Sequence, residues 1–220
     1  MLDAEAEPVP TANLVSPRRP AHRPSRRREI IDAATVIFAR EGYIEPNVED
    51  VALAAGVAPT AIYYHFGGKE ELFAQTLRAA LQGFSDQIYS VRPDTAAGSV
   101  ESLREVIRAG WEWWHTHPDA ARLVARYSEG STVQALQLRR EWEERHLQRA
   151  YDYLPEIRVN GSTRKAREQH AAHALAIRLM LDVILASQAA VLEGTVRGSP
   201  RPALVAAVEE MCVSLIRSLQ

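Results

Sequence analysis

Eight consecutive residues, Pro59-Thr60-Ala61-Ile62-Tyr63-Tyr64-His65-Phe66, place hydroxyls, aromatic rings and an imidazole in one short run. On a helix turning about 100 degrees per residue, Ile62 and Phe66 share one side, which centres Thr60 and Tyr64 on the opposite face with Ala61 and Tyr63 beside them. An outer face of this kind can hydrogen-bond phosphate oxygens or base edges and pack on thymine methyl groups, which is the chemistry of reading duplex DNA. Lys69 adds a cation just past the run. Arg26, Arg27 and Arg28 close a stretch, PRRPAHRPSRRR, that holds six arginines and no acid; such an arm suits phosphates or a minor groove. The same tyrosines would also serve as surface residues of a plain helical hairpin.

Other chemistries find less support. His170 and His173 lie one helical turn apart, a spacing that can chelate a metal, but no acidic partner motif accompanies them, and a solvated His170 beside a packed His173 accounts for the pair. His115 and His117 end a helical run before Pro118, where cationic side chains suit the helix dipole. Cys212 is the single cysteine and sits among Met211, Val213 and Leu215, the setting of a plain buried thiol. The chain shows no glycine-rich phosphate loop, nucleophile elbow or recognisable carboxylate pair. The expectation is a protein without enzymatic activity, cofactor or metal. A helical adaptor that binds another protein is the alternative.

The elements that must position the tyrosines are helical throughout. Ile30, Ala33, Ala34, Ile37 and Phe38 recur at helical spacing ahead of Gly42, which predicts a first helix over about 26 to 41. Asn47 followed by Asp50 reads as an N-cap with an acidic first turn, and Val48, Val51, Ala52 and Ala55 form a short stripe that stops at Gly56. Pro59 suits the first position of the next helix. The pair is a helix-turn-helix over 47 to 66. Lys69-Glu70-Glu71 opens a long helix carrying Leu72, Phe73, Leu77, Leu81, Phe84 and Ile88. Breaks at 92 to 98, 117 to 119, 129 to 131, 155 to 162 and 194 to 202 divide the remainder into further helices, about nine in all. The fold class is all-α. Residues 1 to 24, rich in Pro and Ala without apolar periodicity, read as a disordered extension.

The segment from Ser25 to Leu72 resembles the DNA-binding domain of the TetR family. The resemblance rests on Ala54-Ala55-Gly56-Val57, on Ile62-Tyr63-Tyr64-His65-Phe66, and on Lys69 and Leu72. It implies a DNA-binding domain over 25 to 68 and a larger helical domain over 69 to 220 that binds a small molecule and dimerises. By that resemblance Tyr63 and Lys69 contact backbone phosphates, Thr60 and Tyr64 face the major groove, His65 sits near phosphates or braces the helix, and Asn47 lies near a phosphate. Two departures stand out. The chain has Pro46-Asn47-Val48 where the family usually has Thr-Thr-Val, and Ala58 where it usually has Ser; the lost cap weakens the recognition helix by about 1 kcal/mol.

The remaining sequence supports dimerisation directly. In 164 to 193 one stripe runs His173, Ile177, Met180, Ile184 and another Leu175, Leu179, Val183, Ala186, Ala190, so the helix is apolar nearly all round and needs two burial partners. Its own domain is one. A twin subunit, meeting it and the helix at 203 to 219 in a four-helix interface, is the expected other; a helix doubly buried within a monomer is the alternative. For a small-molecule effector the candidates are Phe84, Trp111, Trp114, Trp142, Tyr127, Ile177 and Met180, with His115, Arg126 and His173 as polar anchors. Aromatic and methionine side chains line apolar pockets and fill cores alike. A net charge of −2 argues against a protein that merely coats nucleic acid. The first residues lack the pattern of a signal peptide, and Arg178, Asp182 and Gln188 interrupt the longest apolar run, so a cytoplasmic protein without a membrane span is expected. The resulting expectation is a homodimeric repressor, released from a palindromic operator when an apolar or aromatic effector binds.

Overall fold

Asn47 has extended backbone, accepts a hydrogen bond from the Asp50 amide and donates its own amide to the Asp50 carboxylate, both at 2.8 Å. This reciprocal capping box fixes where a helix begins. Gly56, at φ 64°, ends that helix in the left-handed conformation that costs glycine least. Three residues on, Pro59 presets φ at the first position of the next helix. The turn between the two is therefore set by local chemistry.

The computed structural model describes residues 26–92, 98–126, 132–195 and 201–219. Among these residues it contains nine α-helices and no strand: α1 (Arg26–Glu41), α2 (Val48–Ala55), α3 (Pro59–Phe66), α4 (Lys69–Ser90), α5 (Ser99–Thr116), α6 (Pro118–Arg126), α7 (Val133–Tyr153), α8 (Arg164–Leu192) and α9 (Arg201–Arg217). A 3-10 turn, Pro155–Ile157, follows α7. The extension expected at 1 to 24 lies outside the described residues.

The first three helices are too short to bury a core alone. They pack on α4, α6 and one another around Ile30, Phe38, Val51, Ile62, Phe66 and Phe73. That apolar cluster continues without a break into Phe84, Trp113, Trp114, Trp142 and Leu185. A second cluster joins α5, α7, α8 and α9 through Ile107, Trp111, Tyr151, Ile177, Met180, Val213 and Ile216. Packing is thus carried across the boundary expected at 68/69.

Helix α8 divides as its two stripes require. His173, Ile177 and Met180 are buried, while Leu175 is 58% and Leu179 48% exposed, and Met211 on α9 is 56% exposed. By length and composition alone α8 would cross a membrane, contrary to the expectation drawn from its polar interruptions. One such helix is weak evidence, since core helices of water-soluble folds pass the same test.

Candidate functional site

Helix α3 is oriented by what it buries. Ile62 and Phe66 are inside the first apolar cluster, and this anchors the helix so that Thr60, Tyr63 and Tyr64 face outward. Tyr64 is 85% and Tyr63 51% exposed. Ala61 and His65 are half-buried at the flanks, and His65 meets the rings of Tyr64 and Phe66 edge-on. The face predicted from the angular spacing of the residues is therefore presented to solvent as one surface. Ala58, the N-cap of α3, makes no side-chain cap, as expected of its missing hydroxyl.

The cations around this face are less free than their positions in sequence suggest. Lys69 Nζ donates to the Ile44 carbonyl at 2.7 Å and lies over the Tyr43 ring. It thereby ties the start of α4 to the loop between α1 and α2. Arg26, Arg27 and Arg28 form the first turn of α1, so these three are helical. Arg27 donates to Gln75 at 3.2 Å and lies over Phe66, and Arg28 faces Asp32 at 3.9 Å. Arg26 is exposed.

A second candidate site is a cavity of about 100 Å³ enclosed by α4, α5, α7 and α8. Of the effector candidates, Phe84, Ile177 and Met180 line it. The other effector candidates do not. Trp142 is fully buried in the core with its Nε1 donating to Ser85 Oγ at 3.0 Å; Trp111 and Trp114 are packed in the apolar clusters. His173 donates from Nδ1 to the Ile157 carbonyl at 2.7 Å, which fixes the turn after α7. His115 is exposed. Arg126 reaches away from the cavity to the carbonyls that end α1, at 3.3 Å from Ala39 and 3.1 Å from Arg40. Tyr127 lies outside the described residues.

The lining instead takes Leu103, Val106, Ile107, Tyr89, His146 and Tyr153, none of which stands out in sequence. His146 is the informative addition. Its Nδ1 donates to the Trp142 carbonyl at 3.0 Å and its ring packs against Phe84, Tyr89 and Trp142. Burial pushes its pKa down to about 4, against the pull of that carbonyl and with the Arg145 and Arg139 charges adding to the fall. The imidazole is therefore neutral at physiological pH. Near it Tyr153 donates to the Ile88 and Val91 carbonyls, and Arg149 pairs with Asp152 while stacking over Tyr89 and Tyr153.

No group of three or more metal-ligating side chains occurs among the described residues. His170 is exposed and stacks on Tyr151, apart from the hydrogen bond that occupies His173. Cys212 is buried, and burial alone raises its thiol to about 11, which leaves it an inert core residue.

Residues 30–76 match the family model described as bacterial regulatory proteins, tetR family. Over 99 residues, 45% of this chain and 46% of the relative, the sequence is 30% identical to the HTH-type transcriptional repressor NicS of Pseudomonas putida. Over 86 residues it is 36% identical to the HTH-type transcriptional regulator BetI of Brucella anthropi, covering 39% of this chain and 42% of that one. The chain thus spans less than half the length of the curated relatives it matches. The fold is shared more widely. The fatty acid degradation regulator FadR from Bacillus halodurans superposes with a TM-score of 0.65 over 88% of this chain and 99% of its own, at 20% identity. The matched segment is thus a tetR-family domain folded as a helix-turn-helix, and the helices behind it follow a fold shared with solved regulators such as FadR.

Proposed function

We propose that the protein is a DNA-binding transcription regulator whose α3 enters the major groove of its operator. One observation carries this reading: Tyr63 and Tyr64 are held out in solvent by the burial of Ile62 and Phe66 on the other side of the same helix. Exposing two tyrosines on a rigid helix has no stabilising effect on the monomer, and such a surface gains most by meeting phosphates and base edges. Thr60, Ala61 and Tyr64 read bases in this scheme. Tyr63, His65 and Asn47 position the backbone, joined by Arg26 and by the donors Lys69 keeps beyond its bond to Ile44.

The working form is a homodimer through α8 and α9. The apolar surface of Leu175, Leu179 and Met211 supports it, since an isologous contact there would bury both faces at once. The two α3 helices would then stand about 34 to 36 Å apart, one turn of DNA, opposite a palindromic site. The cavity among α4, α5, α7 and α8 receives the effector. Because α4 starts directly after α3 and also lines the cavity, a ligand that favours one tilt of α4 changes the spacing of the two reading heads. Repression, relieved by effector in the cytoplasm, is the mode we favour, by analogy with the transcriptional repressor NicS.

The test is a gel shift on the DNA flanking the protein's own gene. Retardation of that fragment at low salt, lost as salt is raised, is expected. Failure to retard it at low salt overturns the proposal.

A further inference from the structure

The cavity is small, and its lining is chemically uneven. Around it the walls are aliphatic and aromatic; Tyr153 is held by backbone carbonyls and Glu143 by Arg139, while Arg149 pairs with Asp152 through Nη1 and leaves its buried Nε–H donor unpartnered. His146 differs. Because Nδ1 gives its proton to the Trp142 carbonyl, Nε2 carries a bare lone pair. That atom is out of solvent and has no hydrogen-bond partner among the described residues. Another orphan lies behind the same wall. Gln188 is 1% exposed, neither its Oε1 nor its Nε2 has a partner, and its Nε2 lies 3.4 Å from where a Cβ on the cavity-lining Gly110 would stand. Phe84 borders His146 and Gln188 alike. Native folds rarely leave buried polar atoms unsatisfied, and those that remain ask for a missing partner.

We propose that the cavity takes a small neutral aromatic alcohol, one ring bearing a hydroxyl that donates to His146 Nε2. This rests on the reading of the cavity as the effector site and specifies its ligand. A hydroxyl is the group that can donate to an imidazole lone pair while bringing no charge into an apolar cavity. A carboxylate can only accept hydrogen bonds, so it leaves the His146 lone pair unsatisfied, and Glu143 also lines the wall. The exposed Arg178 at the rim is in water, where its pull is weak. Size favours the same choice, since about 100 Å³ suits a single ring. Phe84, Tyr89, Tyr153 and His146 supply ring faces and edges for it.

The test is calorimetric titration of the full-length protein with p-cresol, p-xylene and 4-methylbenzoate, three molecules of one shape differing at a single substituent. The p-cresol should bind at least tenfold tighter than p-xylene, with 4-methylbenzoate weakest. In His146→Leu, p-cresol should fall toward the p-xylene value while p-xylene holds or improves. Equal affinity for p-cresol and p-xylene in the wild-type protein overturns the proposal without recourse to any variant, and so does preference for the carboxylate. The same titrations run beside the gel shift separate the two readings. Tight p-cresol binding that leaves the DNA complex intact upholds the ligand class and defeats the effector role; DNA binding with no response to p-cresol by either method defeats the ligand class alone.

Discussion

Arg126, the last residue of α6, donates to the carbonyl of Arg40 in the last turn of α1 at 3.1 Å, and to that of Ala39 at 3.3 Å. A cation at the carbonyl end of a helix satisfies orphan acceptors and complements the helix dipole. It also links the helix that braces α2 and α3 to one that packs against α4, α5 and α8. Arg40 faces Asp119 of α6 at 3.9 Å, a second and weaker tie.

Removing the first tie tests its use in signalling. Arg126→Ala should lower stability by about 1 kcal/mol, the scale of a partly exposed charged hydrogen bond. Its larger effect should fall on coupling. Effectors shift operator affinity by about 5- to 150-fold in coupled systems, and in this variant the ratio of operator affinities with and without effector should shrink toward one. An unchanged ratio would assign Arg126 to stability alone.

A missing cap offers a gain in stability. Ala58 has φ −72° and ψ 145°, backbone that an N-cap serine adopts without strain. Ala58→Ser should stabilise the protein by about 0.5 to 1 kcal/mol, raising the melting temperature by about 2 to 4 °C in a chain of this size. No rise in calorimetry would mean that the α3 terminus is satisfied by other means.

The outward face of α3 divides into two classes of effect. Tyr63→Phe should weaken binding alike on all DNA sequences, while Thr60→Ala and Tyr64→Ala should alter which sequences are preferred. Lys69→Ala stands apart, because its bond to Ile44 and its place over Tyr43 make it a structural tie as well. It alone of the four should also lower the melting temperature. Selection of bound sequences from a random pool, read beside thermal melts, distinguishes these outcomes.

Acid should expose the cost of the buried imidazole. His146 is held near 4 in the fold by burial among Phe84, Tyr89 and Trp142, with Arg139 and Arg145 adding to the effect and Glu143 on the same helix. Its ordinary value is 6.5. Between those values the unfolded chain binds a proton that the folded chain refuses, so stability is lost as pH falls through the window, by up to about 3 kcal/mol. His146→Leu should remove that component, and the difference in melting temperature between wild type and variant should grow in the variant's favour from pH 7 to pH 4.5. A constant difference would mean the imidazole is not buried neutral.

The α2–α3 turn is legible in sequence because its signals are local: Asn47 with Asp50 caps one helix, Gly56 ends it, and Pro59 starts the next. The outward face of α3 is legible for the same reason, since Ile62 and Phe66 fix the rotation of the helix. The cavity is not. Trp142 and His146 lie one turn apart on the same side of α7, and the sequence draws attention to the tryptophan. Its indole is taken by Ser85 of α4, which leaves the wall to His146. That choice depends on where α4 and α7 meet, a long-range fact that helical periodicity does not encode. Arg126 fails as a ligand anchor on similar grounds, because its partners are backbone carbonyls 86 and 87 residues away.

The apolar face of α8 and α9 gives the sharpest test of assembly. Leu175 and Leu179 are about half exposed in the single chain, so a charge at either position should cost the folded monomer little, within about 0.5 kcal/mol. In a dimer sealed through this face the same charge would be buried without a partner, which is prohibitive. Leu179→Glu should therefore sediment as a folded monomer while the wild-type protein sediments as a dimer. Operator affinity should fall steeply with it, because one reading head loses the added affinity that a tethered second head supplies. A Leu179→Glu protein that remains dimeric would place the interface elsewhere and require another explanation for the exposed leucines.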